Sequence, residues 1–230
     1  MRPVEWTTNV LAKRGLSKPD SRPLYQYRFN DEEYAGLTEM LKLSAQLGIN
    51  NLTRILAWDA ALVMYATEWW RREYSGAWGW DGVFGSLGIN YTELSVNRRN
   101  ELVETGLRFW QREIRVTDGT RKFLGTIATE GGLPLHQLAG SGGWLKQVLN
   151  PTINRHLSRG IDLSLLIKSY ELFIPRSFRS SEVSQILADI ADSIVSLRIT
   201  HQLDNKPFPL EWLDENQPSW RESFPLPVEE

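Results

Sequence analysis

The sequence predicts an all-α fold, an irregular multi-helix bundle of about eight to ten helices ending in an extended proline-rich tail. Two observations carry this. Apolar residues recur at three- and four-residue steps in two long stretches, 51–74 and 181–200. Helix start and stop residues also bracket most of the shorter segments between them.

Pro3 suits a first helical turn and Gly15 a stop, so a short first helix lies between them. The stretch from Ser17 to Arg28 holds two prolines, and the alternation of Leu24-Tyr25-Gln26-Tyr27 suggests an extended segment. Asn30-Asp31-Glu32-Glu33 is a capping box: the Asn30 oxygen accepts from an N3 amide while Glu33 reaches back. Helix two then carries Tyr34, Leu37, Leu41 and Ser44 on one face, to Gly48. Helix three, from an Asn51 cap to about Tyr74, aligns Leu52, Ile55, Leu56, Leu62, Val63, Ala66, Trp69 and Trp70. A short helix from Trp80 stops at Gly88.

Ser95 begins a basic helix with Leu102, Gly106, Phe109 and Trp110. Asp118-Gly119 is a turn, after which Thr120 caps a segment from Arg121 to Thr129. The helix at Trp144 runs to the Asn150-Pro151 interruption, and another covers Ile161 to Leu172. Ser180 or Ser181 caps the last long helix, with Val183, Ile186, Leu187, Ile190, Ile194 and Leu197 as its stripe. Five prolines and no helical period follow Asp204. The domain reading is therefore a helical domain over 1–203 and an acidic, proline-rich tail or linker over 204–230, leading toward a further C-terminal region. At 230 residues, two unequal lobes are the alternative.

Composition narrows the function classes. Hydrophobic residues make up 41%, enough for a substantial core. Ten tryptophans imply large, specific packing junctions, with exposed members serving as interface anchors. The chain has no cysteine, which excludes disulfides, thiolate metal sites and cysteine nucleophiles. No run approaches the roughly 18 apolar residues of a membrane span, and the start lacks a signal-peptide pattern, so the cytoplasm is the expected location. Net charge is −2, far from the strongly basic balance of a nonspecific nucleic-acid coat.

No residue constellation compels a reaction, and no catalytic group, cofactor or metal is expected. His136, His156 and His201 are scattered, and no Gly-x-Ser-x-Gly elbow is present. Asp59 falls on the apolar side of helix three, where a bare carboxylate is costly. An ion pair with Arg99 or Arg121, or an indole N–H, would satisfy it. Glu130 and His136 flank a Gly-Gly turn and could make an acid–base pair, but a glycine C-cap followed by a helix-starting proline explains nearly every residue there.

Two surfaces remain. Arg71, Arg72, Arg98, Arg99, Arg115, Arg121 and Lys122 could hold phosphates, with Trp78 or Trp80 stacking on bases. Arginines packed on indoles inside the fold account for the same residues. Gly140, Gly142 and Gly143 precede a helix with Lys146 in its first turn, so converging amides could nest an anion. A plain connection is the simpler identity of that loop.

Four landmarks taken together resemble the N-terminal part of a family of large, uncharacterised bacterial proteins from genomic and defence islands. They are Arg22-Pro23-Leu24-Tyr25-Gln26-Tyr27-Arg28, the stretch from Gly79-Trp80 to Leu87-Gly88, Glu130-Gly131-Gly132-Leu133-Pro134, and Pro218-Ser219-Trp220-Arg221-Glu222-Ser223-Phe224-Pro225-Leu226. The resemblance implies an N-terminal domain of a larger protein in an anti-phage or mobile-element setting. The proline-rich acidic tail, the excess tryptophan and the missing active-site pattern point to a non-catalytic interaction or scaffold domain of such a protein or complex. Its partners would be other domains of a larger polypeptide or neighbouring defence proteins, with DNA or RNA as the alternative. It transfers no catalytic residue.

Overall fold

The computed structural model describes residues 1–46, 51–52, 55–74, 79–117, 119–134, 143–175, 178–179 and 181–224. It divides the chain into two compact units, 1–136 and 137–230.

The first unit contains α1 (Pro3–Lys13), a 3-10 turn (Leu24–Tyr27), α2 (Asp31–Ala45), α3 (Trp58–Glu73), α4 (Trp80–Gly85), a 3-10 turn (Tyr91–Glu93), α5 (Val96–Phe109), a hairpin of β1 (Val116–Thr117) and β2 (Thr120–Arg121), and α6 (Phe123–Gly131). The all-α expectation holds; the hairpin is a two-residue ladder with Thr117 opposite Thr120 and Gly119 at φ +71° between them. That hairpin takes the place of the expected Thr120 cap, and α6 starts three residues later.

α3 is the axis of this unit. Twelve of its sixteen residues are buried, including Ala60 through Glu68 without a break. α1, α2, α5 and α6 all pack on it. Two glycines allow the closest approaches. A Cβ on Gly106 of α5 would lie 2.3 Å from the Asp59 carbonyl oxygen, and one on Gly131 of α6 would lie 2.6 Å from that of Thr67. Indoles then lock these contacts. Trp110 donates from Nε1 to the Ala60 carbonyl at 2.9 Å, and Trp70 donates to that of Gly132 at 2.9 Å.

The capping box at α2 forms as read: Glu33 N donates to Asn30 Oδ1 at 2.9 Å, and Asn30 N donates to Glu33 at 3.3 Å. Two further expectations fail in this unit. Leu24–Tyr27 is a 3-10 turn rather than an extended segment, because Arg28 turns left-handed at φ 52° and the turn buries Leu24, Tyr25 and Tyr27. α3 begins at Trp58 rather than near Asn51. Ala57 at φ 62° breaks the chain direction, which leaves Leu56 73% exposed instead of in the core.

The second unit contains α7 (Trp144–Arg159), α8 (Leu163–Ser169), a 3-10 turn (Glu171–Phe173), α9 (Ser181–His201), a further 3-10 turn (Leu203–Asn205), α10 (Pro209–Asn216) and α11 (Trp220–Ser223). α7, α8 and α9 pack mutually through Ile153, Leu163, Ala191 and Val195. The predicted stripe of α9 is buried at Val183, Ile186, Leu187 and Ile190. α7 runs through Pro151 instead of stopping there. A proline inside a helix costs about 3 kcal/mol. Burial of the apolar Ile153 just beyond it works against that cost.

The segment after Asp204 is not extended throughout. Pro209 occupies the first turn of α10, where its missing N–H is harmless, and Leu213 and Trp220 pack with Leu203 in a small cluster of their own. Among the described residues no helix is long and apolar enough to cross a membrane.

Candidate functional site

The arginines expected on a nucleic-acid surface are mostly drawn into the protein. Arg71 is 1% exposed and pairs with Glu68, itself 1% exposed, at 2.7 Å. Their spacing on α3, three residues apart, places both on one face. Arg72 reaches the same Glu68 at 2.9 Å, pairs with Asp31, and donates to the Phe29 carbonyl at 2.6 Å. Arg71 and Arg72 therefore hold α3 to the start of α2, and burial removes Arg71 from any phosphate.

The remaining members of that set are closer to solvent. Arg98 pairs with Glu101 on α5, and Arg99 lies over the Tyr91 ring at 5.2 Å. Arg121 pairs with Glu104 at 2.7 Å and covers the Phe123 ring. Arg115 donates to Thr129 Oγ1 at 2.9 Å, and the exposed Lys122 donates its backbone N–H to the Arg115 carbonyl. The hairpin thus gathers Arg115, Arg121 and Lys122. Trp80 is half-buried against Phe84, and Trp78 lies outside the described residues.

Glu130 is also structural. It is 3% exposed and pairs with Arg112 at 2.9 Å. It also accepts from the Leu24 N–H at 3.1 Å, tying α6 to the turn at 24–27. Such a carboxylate is committed on both oxygens and is no free base. His136, Gly140 and Gly142 lie outside the described residues. Gly143 has an ordinary φ of −69°, and its carbonyl accepts from the Lys146 N–H at 3.1 Å. Left-handed backbone at Gly143, which a nest would use, is absent.

One half-buried carboxyl stands apart from these pairs. Asp59 sits in the first turn of α3 and its Oδ1 accepts from the Ala60 N–H at 3.0 Å. The expected partners are engaged elsewhere, Arg121 with Glu104 and Arg99 with Tyr91. Burial pushes the Asp59 carboxyl above the usual aspartate range, and the backbone N–H groups offset this in part.

Asp59 lines a cleft of about 450 Å³ together with Leu52, Ile55, Leu56, Ala57, Arg98, Glu101, Leu102 and Thr105. One wall is a single face of α5, since residues 98, 101, 102 and 105 follow the i, i+3, i+4, i+7 spacing. The opposite wall is the left-handed turn at Ala57. A non-glycine residue at such a φ costs roughly 1–3 kcal/mol and is concentrated at functional sites. The sequence signalled Asp59 as a costly carboxylate. The α5 face was visible only as a helical spacing, with nothing to connect it to Asp59.

Among the described residues there is no group of three or more His, Cys, Asp or Glu able to hold a metal ion.

Comparison with known proteins divides the chain where the fold does. The family model for the YjiT N-terminal domain matches residues 1–133, and that for the YjiT second domain matches 140–230. Protein YjiT of Escherichia coli (strain K12) is 31% identical over 236 residues, an alignment covering 99% of this chain and 44% of that protein. The chain thus spans less than half the length of this curated relative. No solved structure matches.

Proposed function

The chain belongs to the YjiT family, and we propose that it is a non-catalytic interaction or scaffold module of a longer bacterial polypeptide working in the cytoplasm. The observation that carries this is a set of large apolar side chains left in solvent on the second unit. Leu165 on α8 is 65% exposed, and Leu172 and Phe173 on the packed turn that follows are 83% and 51% exposed. Burying each against a partner is worth about 1.5–3 kcal/mol. The tryptophans do not fill this role, since every described one is buried or half-buried. Leucine and phenylalanine are the anchors instead.

The partners proposed are further domains of the same polypeptide or neighbouring proteins of an anti-phage system. The second part of that statement rests on the four sequence landmarks alone. The test is co-purification of the tagged chain with proteins encoded beside it, in its own host, against a Leu172→Asp/Phe173→Asp variant of unchanged melting temperature. A defined partner held by the parent chain and lost from the variant is expected. Equal retention by both, or a partnerless monomer under gentle lysis, overturns the reading.

Nucleic-acid binding is the second reading, and the gathering of Arg115, Arg121 and Lys122 at the hairpin favours it. Oligonucleotide binding at low salt, with a slope flattened by Arg121→Glu, would support it over the first.

A further inference from the structure

We propose that the cleft at the start of α3 is a receptor for an organic cation on an apolar stem, an alkylammonium or alkylguanidinium group, held by the Asp59 carboxylate. The inference uses residues of the first unit and does not rest on the reading of the second.

Charge selects the sign of the ligand. Among the described residues three ionisable side chains line the cleft, and two of them, Arg98 and Glu101, neutralise each other. Asp59 is left with backbone N–H partners and no cation beside it among the described residues. A carboxylate stripped of water without a counter-ion is costly, and a cation placed against it recovers that cost. An anion would meet Asp59 and Glu101 and find Arg98 already taken. A bare metal ion would find too few ligands, since among the described residues the cleft offers one unpaired carboxylate and the Thr105 hydroxyl.

Shape selects the stem. Leu52, Ile55, Leu56 and Leu102 form the apolar lining, and Leu56 stands at the mouth with nearly three quarters of its surface in solvent. A volume of about 450 Å³ suits a small ligand or one long side chain. Rigidity supports the site as well. Gly106 brings α5 onto the Asp59 backbone, which holds that wall by close backbone contact, and the left-handed turn at Ala57 fixes the entry of α3.

The same chemistry has two sources, a free amine or guanidine and a lysine or arginine side chain of a partner. The experiment titrates the full chain with n-butylguanidinium, with Nα-acetyl-arginine methylamide, and with neutral Nα-acetyl-norleucine methylamide, followed by NMR shifts of the Asp59 and Thr105 amides. The cations are expected to bind and the neutral probe is not. Binding of butylguanidinium points to a free ligand, and binding of the blocked arginine alone points to a partner side chain. Asp59→Asn, which keeps the bond to Ala60, should weaken binding by about tenfold, the worth of one charge-assisted hydrogen bond. Arg98→Ala on the exposed rim frees Glu101 and should tighten it. Equal binding of the neutral probe, equal binding by Asp59→Asn, weaker binding by Arg98→Ala, or no cation binding by the parent chain would overturn the proposal.

Discussion

The two units solve the burial of a central helix in different ways. In the first, α3 is enclosed along most of its length, so Glu68 and Arg71 had to come inside with it. Glu68 and Arg71 are as buried as the leucines around them, and Arg72 is nearly so. In the second, α9 buries one stripe and leaves Gln185, Asp192, Ser196 and Ile199 toward solvent, with no comparable buried pair among the described residues. The lesson concerns where function can reside. An enclosed helix converts its arginines into structure, whereas a half-covered helix keeps its polar face in solvent.

The largest effect that could break this contrast lies in the buried pair. Glu68→Ala would leave Arg71 as an uncompensated charge in the core and Arg72 short of one partner. Removing one member of such a pair costs about 3–5 kcal/mol. Urea denaturation of the full chain should show that loss in the transition of the first unit. A loss below about 1 kcal/mol would mean that the charges are not enclosed as described.

A pair of leucine-to-alanine-type truncations sharpens the comparison at intermediate size. Ile190→Ala in the stripe of α9 should cost about 2–5 kcal/mol, as core truncations do. Leu56→Ala, which the sequence periodicity places in the core of helix three, should change stability by no more than about 0.5 kcal/mol because the side chain is exposed. Equal costs at the two positions would restore the longer helix three.

These positions also show how far the sequence could be read. The stripe of α9 and the capping box of α2 were legible because each depends on local spacing and local hydrogen bonds. Helix three was misplaced at its start because Leu52, Ile55 and Leu56 continue the period right up to a backbone reversal at Ala57. No residue type marks that reversal, since alanine rarely turns left-handed. Pro151 misled for the opposite reason: a strong local stop signal was overridden by packing beyond it. At the candidate cleft, Asp59 was conspicuous by its cost. Its lack of a cation was not legible, because pairing with Arg99 or Arg121 depends on where β2 and α5 carry those side chains. Likewise nothing in Trp69-Trp70-Arg71-Arg72 distinguishes a buried arginine from one facing solvent.

The smallest effect sets two carboxylates of the first unit against each other. Burial acts on both Glu33 and Asp59. At Glu33 the hydrogen bonds and charge of Arg14 outweigh it, and the carboxyl is held below its usual range. At Asp59 no such cation answers among the described residues, and the carboxyl is raised. The stability linkage follows with opposite signs. A lowered carboxyl contributes stability above its unfolded pKa and loses it as pH falls. A raised one contributes below its unfolded pKa, about 3.9 for aspartate, and loses it as pH rises through the folded value. The α3 N-terminus works against this at Asp59, since a first-turn carboxylate gains about 0.3–1 kcal/mol when ionised, but the raised direction shows burial to be the stronger. Asp59→Asn should therefore improve relative to the parent chain between pH 3 and pH 7, by a shift on the order of 1–3 °C in Tm. Glu33→Gln should worsen over the same interval. Melting curves of the three proteins at both pH values decide the matter: the same sign for both variants would mean that Asp59 has a cation beside it after all, and the contrast between the two carboxylates would be lost.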